Sequence, residues 1–419
     1  MSAPLRIHLN SHVVCPCCWN RFPPDQILWI ATHPELVGDP KLGQHEQIRF
    51  LPTQFDLQGN AIDRLGSTCN DHACPRCHLK VPRASIETKP MFVSIAGTPS
   101  CGKSYFLASM TYQMRQHMPS EFKLGFSDAD PACNQILNDY EEQQFFNADR
   151  DTPVRLRKTE EQGDDYVSSM IDGHLVQFAS PFLFTLRPIE GHPNEKNRQA
   201  VSRLLCLYDN AGESFAPGRD AVSNPVTRHL GQAAAIFFCF DPMQDPRLRT
   251  LLAGKTDDMQ VVEESVTARQ EIVFHEVVER FRRLTGLPQS EKTERPVVVI
   301  VTKFDGWKSL LPDLELTRPF KTRSDGLSAV DLTQIRDISN KVRALLYKVS
   351  PDLVTSAEAF SQNVWFIPVS ATGRSPERDA TTGITGVRPR DVAPVWCDIP
   401  LALVLAKYGQ GVIPFVDNA

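Results

Sequence analysis

From Pro90 onwards, short apolar runs alternate with longer stretches in which apolar residues recur every three or four positions. The runs are Met91 to Ala96, Pro181 to Leu186, Leu204 to Tyr208, Ala233 to Phe240, Pro296 to Val301 and Val364 to Val369. Runs of this length bounded by polar or turn residues suit strands buried on both faces. Between them, Val262, Val266, Val273, Val277 and Phe281 share one face of a helix over Val261 to Leu284, and Trp396 to Tyr408 reads as a closing helix. The alternation predicts an α/β fold around one mostly parallel sheet of about six strands. Segments 115–180, 185–200 and 305–360 are long for connections and should hold further helices or insertions. There is no internal repeat and no low-complexity tract.

The first apolar run leads straight into the densest signal in the chain. Gly97-Thr98-Pro99-Ser100-Cys101-Gly102-Lys103-Ser104 is a complete G-x-x-x-x-G-K-[ST] phosphate-binding loop, and Tyr105 follows it. Phe106, Leu107, Met110 and Met114 then continue at helical spacing, so the context is strand, loop, helix. Glycine is needed where backbone N–H groups crowd around phosphate oxygens; Lys103 adds a cation and Ser104 a hydroxyl for Mg²⁺. A chance match in a chain of this length is about one in a hundred. Cys101, inside the loop, is either a small residue that fits or a thiol open to oxidation.

Before Pro90 the pattern is different, and cysteine takes over. Six of the eleven cysteines lie between residues 15 and 77. Cys15-Pro-Cys-Cys18 and Cys74-Pro-Arg-Cys77 each hold C-x-x-C, the spacing at which a tight turn aims two thiolates at one metal. Two such turns predict one structural zinc, its shell closed by Cys15, Cys18, Cys74 and Cys77, leaving no position for an activated water. The gap from Cys18 to Cys74 is longer than the about 15 to 20 residues of a compact ribbon. Cys17, Cys69, His12, His72 and His78 therefore stay as competing ligands. Trp19, Phe22 and Trp29, beside the first turn, are read as core in preference to a partner-binding patch.

Composition narrows the functional classes without choosing one. Hydrophobic residues make up 41% and charged residues 23% of 419, with a net charge of −5, which argues against a general polyanion binder. Residues 1–90 carry nine Lys/Arg against eight Asp/Glu, a balance of +1 that gives no nucleic-acid footprint. No secretory signal and no run of transmembrane length is visible, so a soluble, reducing, cytoplasmic setting is expected.

Further polar signatures close the later apolar runs. Leu204 to Tyr208 ends in Asp209-Asn-Ala-Gly212-Glu213, a D-x-x-G in which the carboxylate can hold Mg²⁺ and Gly212 can bring its N–H to a γ-phosphate. Val299 to Val301 ends in Thr302-Lys303-Phe304-Asp305, where an aspartate can accept two hydrogen bonds from guanine N1 and N2, a pair that adenine cannot donate. Phe366 to Val369 ends in Ser370-Ala371, a small pair whose backbone N–H could meet guanine O6. Each motif alone is common; their order along the chain is the stronger signal.

With these residues the chain resembles the TRAFAC class of P-loop GTPases, the translation-factor-related group that includes Ras-like proteins, over residues 90–410. The cysteine turns, the D-x-A-G-E at Asp209 to Glu213, and the ending Val395-Trp-Cys-Asp-Ile-Pro-Leu-Ala-Leu-Val-Leu are similar to bacterial conflict-system GTPases that carry an N-terminal zinc ribbon. The resemblance implies a three-layer P-loop NTPase domain over 90–410, a zinc-ribbon-like domain with an insertion over 1–89, and a tail over 411–419. It implies a guanine-nucleotide switch: Gly97 to Gly102 cradle the α- and β-phosphates, Lys103 reaches the β- and γ-phosphates, and Ser104 with Asp209 holds magnesium. Thr302, Lys303, Asp305, Ser370 and Ala371 would surround the base. GTP or GDP, Mg²⁺ and structural Zn²⁺ are the implied cofactors, with protein partners that sense the bound state.

Departures from the family pattern shape the expected activity. Glu213 stands where many relatives place a glutamine that orients the attacking water, so hydrolysis should be slow or partner-stimulated. Pro99 removes one loop N–H. Thr302 replaces the more frequent asparagine, a variation also found in the Rho-like branch. Thr152 and Thr159 are the candidates for the first-switch threonine, and Arg157 for an arginine finger in cis. A P-loop kinase or ATPase has no reason to carry the guanine-reading residues. The remaining alternative is a nucleotide-bound scaffold with little or no turnover.

Overall fold

The computed structural model describes residues 9–156, 166–209, 212–215, 227–256, 258, 261, 269–380 and 383–417. Its centre is a seven-stranded sheet made of β1 (Lys89–Gly97), β2 (Leu124–Asp128), β3 (Phe182–Pro188), β4 (Arg203–Asp209), β5 (Ala235–Phe240), β6 (Val297–Val301) and β7 (Val364–Pro368). The spatial order is β2-β3-β4-β1-β5-β6-β7. β4, β1, β5, β6 and β7 run parallel, β3 is antiparallel to β4, and β2 is antiparallel to β3. All six apolar runs read from the sequence are strands of this sheet.

Their composition explains their place. Val297-Val-Val-Ile-Val301 is at most 1% exposed along its whole length, which only a strand covered on both faces can be. Each such side chain contributes about 1.5–3 kcal/mol by leaving water. The helices that provide the cover include α1 (Lys103–Phe122), α2 (Gln270–Thr285), α3 (Leu332–Val349), α4 (Pro351–Phe360) and α5 (Ile399–Lys407). The Asp331 carboxylate caps α3 by accepting from the Thr333 and Gln334 N–H groups, and α2 stops at Gly286, whose φ of 72° is left-handed. Of the helix expected over Val261 to Leu284, α2 supplies the C-terminal part; residues 262–268 lie outside the described residues.

One half of the sheet is covered differently. Phe92, Leu183, Leu204, Cys206 and Tyr208 point from β1, β3 and β4 into a cluster with Ala84, Tyr166 and Ala179, and Val14 and Trp19 pack against it. The cover here comes from the N-terminal cysteine-bearing segment and a hairpin, Tyr166–Ile171 paired with His174–Ala179, inserted between β2 and β3. Of the three aromatics read as core, Phe22 is buried and half-buried Trp19 packs against the same cluster, whereas Trp29 is half-buried outside it. Within the segment assigned to a tail, Phe415–Val416 pairs with Val330 and Asp331.

The order of the strands also fixes where a ligand can sit. β1 has β4 on one side and β5 on the other, and the chain winds outward in opposite directions from this point. A crevice therefore opens beyond the carboxyl ends of β1, β4 and β5.

Candidate functional site

The loop after β1 occupies that crevice. Gly97 closes the strand with φ of +155°, and a Cβ there would lie 2.6 Å from the Cys239 carbonyl oxygen and 2.8 Å from Cys101 Sγ, so no larger residue fits. Gly102 is left-handed (φ +94°), Ser100 likewise (φ 62°), and α1 starts at Lys103. The result is a tight turn delivered onto a helix N-terminus, with Pro99 and Ser100 exposed at its rim and Thr98, Cys101 and Lys103 buried. The Lys103 ammonium donates to the carbonyls of Gly97 and Thr98, both 3.2 Å away. Ser104 is the next residue of α1, at the mouth of the loop.

Burial pushes the Cys101 thiol up, but the hydrogen bond with Cys239 and the Lys103 and Lys303 charges, opposed by Asp241, bring it down to about 7.

Three other strand ends converge on this loop. Parallel pairing puts Asp209, the last residue of β4, opposite Ile95, two residues before Gly97; its side chain is 9% exposed. After β6, the Thr302 hydroxyl donates to the Cys101 carbonyl at 2.9 Å, which ties the T-K-x-D segment to the phosphate loop. The Lys303 side chain passes over Gly102 and pairs with the fully buried Asp241 at 2.5 Å. Asp305 accepts from the hydroxyls of Ser370 and Ser375; burial raises its carboxyl above the usual range and the Ser370 hydrogen bond opposes that. The Ala371 carbonyl accepts from Ser109 of α1 at 2.7 Å. Gly97 to Ser104, Asp209, Thr302 to Asp305 and Ser370–Ala371 thus gather at the carboxyl ends of neighbouring strands.

The Tyr105 hydroxyl accepts from the Leu156 N–H at 3.0 Å and so anchors the segment that leads towards the first-switch candidates. Arg157 and Thr159 lie outside the described residues, whereas Thr152 sits in a turn where its N–H donates to Asp149. Gly212 and Glu213 belong to a 3₁₀ turn over Gly212–Phe215, and their side-chain surroundings lie outside the described residues. Arg280 of α2, 1% exposed, reaches that turn and donates to the Ser214 carbonyl at 2.6 Å.

Sequence reasoning missed the residues that brace the loop from behind. Gln244 donates to the Pro99 carbonyl at 3.0 Å and accepts from the Thr98 hydroxyl at 3.0 Å. Gln270, the first residue of α2, exchanges two hydrogen bonds with the Asp241 backbone, accepting at 2.8 Å and donating at 2.7 Å. Both glutamines are buried polar side chains at element ends, and only the Pro-Met-Gln turn after Asp241 hinted at a local role.

A second centre lies on the roof. Sγ atoms of Cys15, Cys18, Cys74 and Cys77 all fall within 4.8 Å of one another and are buried. Cys15 is 3.7 Å from Cys77 and Cys18 is 3.6 Å from Cys74. A tetrahedral zinc with Zn–S bonds of about 2.3 Å sets its sulfurs about 3.8 Å apart, so the four thiols fit that ion. The two turns repeat each other: the Trp19 N–H donates to Cys15 O and the His78 N–H to Cys74 O, at 3.0 and 2.9 Å, and both residues take a positive φ. Burial pushes the Cys15 thiol well up. The competing ligands are engaged elsewhere. Cys69 bonds to Asp63, His78 to Asp39 and His12 to Ser11 and Arg21, while His72 packs on Trp29 and Cys17 is outside the cluster.

No family model matches the chain. It is 22% identical over 264 residues to SaeC of Mycolicibacterium smegmatis, a candidate ESX-1 scaffolding and assembly protein; the match covers 57% of this chain and 59% of the relative. The chain therefore spans about three fifths of the length of that curated relative. Among solved structures, Sup35 complexed with GDP aligns with 68% of this chain and 38% of its own, at 11% identity and a TM-score of 0.21. A protein from Thermus thermophilus aligns over the same shares at 11% identity and a TM-score of 0.25. Likenesses at this level carry no argument. Among the described residues no helix is long and apolar enough to cross a membrane.

Proposed function

We propose that the chain is a guanine-nucleotide-binding protein of the P-loop GTPase kind, which holds GTP with Mg²⁺ and hydrolyses it slowly to GDP and phosphate. The observation that carries this reading is the hydrogen bond from Thr302 to the Cys101 carbonyl, because it makes the phosphate loop and the T-K-x-D segment one unit. A nucleotide laid along that unit has its phosphates over Gly97 to Gly102 and its base edge at Asp305. Ser370 and Ser375 orient the Asp305 carboxylate, which accepts from N1 and N2 of guanine. Ser104 and Asp209 would hold the magnesium ion that offsets phosphate charge, and Lys103, which now donates to its own loop carbonyls, would donate to the phosphates. Glu213 and Arg157 are assigned to water positioning and charge stabilisation, and Thr159 to the magnesium side. Domains over 1–89 and 90–410, with a structural zinc at the four cysteines, belong to the same reading.

A second reading is favoured by the relative named for scaffolding and assembly: the chain binds nucleotide persistently and works as an assembly platform. Both readings place protein partners downstream of the bound nucleotide. The nucleotide that copurifies with the protein, identified after denaturation, tests what they share. Guanine nucleotide is the expected result, and adenine nucleotide overturns both. Phosphate release in a single turnover with Mg²⁺ then separates them: a slow but measurable rate supports the switch, and none supports the platform.

A further inference from the structure

The four-cysteine centre is built onto the strand that ends in Asp209. Tyr208, the residue before it, is fully buried and stands between the two centres. Its hydroxyl donates to the carbonyl of Pro16, inside the first cysteine turn, at 2.5 Å, and accepts from the Trp19 indole N–H at 3.1 Å. Behind the ring, His229 stacks parallel at 4.7 Å, and its Nδ1 meets the Ser94 hydroxyl of β1 at 2.7 Å. Neighbouring residues of a strand face opposite sides, so whatever fixes Tyr208 on the roof face also fixes the direction in which Asp209 leaves the strand. A second connection runs in parallel. In the inserted hairpin, the Ser169 hydroxyl donates to the Cys77 carbonyl at 2.7 Å, while Tyr166 meets Ser214 in the turn after Asp209 at 3.4 Å. The roof therefore grips the D-x-x-G segment on both sides of its aspartate.

We propose that Tyr208 is a positioning residue for Asp209, and that the four-cysteine centre, acting through it, sets how strongly magnesium holds the nucleotide. The proposal rests on the magnesium-nucleotide reading of the site. Metal at the cysteines fixes the Cys15 to Trp19 turn, and with it both hydrogen-bond partners of the Tyr208 hydroxyl. When the turn loosens, β4 keeps its place in the sheet but its end is free to rotate, and Asp209 loses its aim. Any such coupling is reciprocal: magnesium nucleotide must tighten zinc by the factor by which zinc tightens magnesium nucleotide.

The test uses the full chain and a fluorescent GDP analogue, reading the Mg²⁺ concentration at which GDP dissociation is half slowed, together with zinc content and melting temperature. Tyr208→Phe keeps the ring stack and removes only the hydroxyl. It is expected to retain one zinc per chain while the required Mg²⁺ rises about fivefold to tenfold, the size of one buried hydrogen bond. In the wild type, zinc affinity measured by chelator competition should fall, on removal of Mg²⁺ and nucleotide, by the factor by which zinc removal raises the required Mg²⁺. A lowered melting temperature with unchanged Mg²⁺ dependence overturns the proposal. Should Tyr208→Phe fail to fold, Trp19→Phe, which removes the indole donor and trims the ring that packs on Phe178 and Tyr208, is read in the same way once its zinc content is shown to be intact. Wild-type protein that binds GDP without any Mg²⁺ dependence overturns the reading of the site itself, a result distinct from a Mg²⁺-dependent wild type matched by its variants.

Discussion

Thr302 joins three segments of the molecule through one hydroxyl. Its hydroxyl reaches the Cys101 carbonyl at 2.9 Å and the Phe240 carbonyl at 3.2 Å, so one small side chain stitches the glycine-rich loop, β5 and the T-K-x-D segment together. Thr302→Val, which keeps the shape, leaves the buried Cys101 carbonyl without this donor and should cost about 1–3 kcal/mol of stability and a comparable factor in GTP affinity, read by thermal melting and calorimetry. Asp305 is different, since its carboxylate is held by two hydroxyls and, on the proposed reading, accepts from guanine. Asp305→Ala should lower GTP affinity by about a hundredfold or more, because two charge-assisted hydrogen bonds disappear. Glu213 tests turnover rather than binding. Glu213→Gln should raise the single-turnover hydrolysis rate with GTP affinity unchanged, and a rate that falls would assign the carboxylate itself to catalysis.

At the scale of elements, the legible parts were those in which burial imposes a pattern. β6 and β5 are nearly pure apolar runs because both faces are covered, and the glycine-rich loop is legible because its backbone leaves no alternative to glycine at 97. β2 was not legible: Leu124-Gly-Phe-Ser-Asp128 sits at the sheet edge with one side chain in two turned towards solvent, and its partner β3 supplies the order. The hairpin 166–179 was hidden for the same reason, since it packs on the cysteine turns and only tertiary contact shows that its Ile171 and Phe178 are core. His229 had no motif around it either, yet it forms one layer with Tyr208 and Ser94. Complete burial holds its imidazole neutral, down to about 3. Its pKa is therefore depressed on folding, and the unfolded chain binds the extra proton as pH falls below about 6.5. Stability should drop from there towards pH 3 by up to about 1.4 kcal/mol per pH unit from this group, and His229→Phe should flatten that part of a melting-temperature profile. The cysteine turns make a second prediction at this scale. Cys74→Ser should release the zinc and expose apolar residues of the roof, read as zinc loss and a melting transition lowered for the whole chain rather than for a detached piece.

The whole molecule joins the switch point of a parallel sheet to a four-cysteine roof that rests on the same strands. Short connections and a shared core make the roof part of the site's support: Trp19 touches Tyr208, and Tyr166 touches Ser214. On the proposed reading, a change in the bound nucleotide at Asp209 would reach the N-terminal segment through Tyr208 and Trp19. The central claim concerns the crevice, and it is tested most directly by calorimetric titration of nucleotide-free protein with GTP and with ATP in the presence of Mg²⁺. The account predicts GTP binding at least about a hundredfold tighter than ATP, a difference of about 2.7 kcal/mol that vanishes in Asp305→Ala. Equal affinity for the two nucleotides in the wild type, or a preference for ATP, would contradict it.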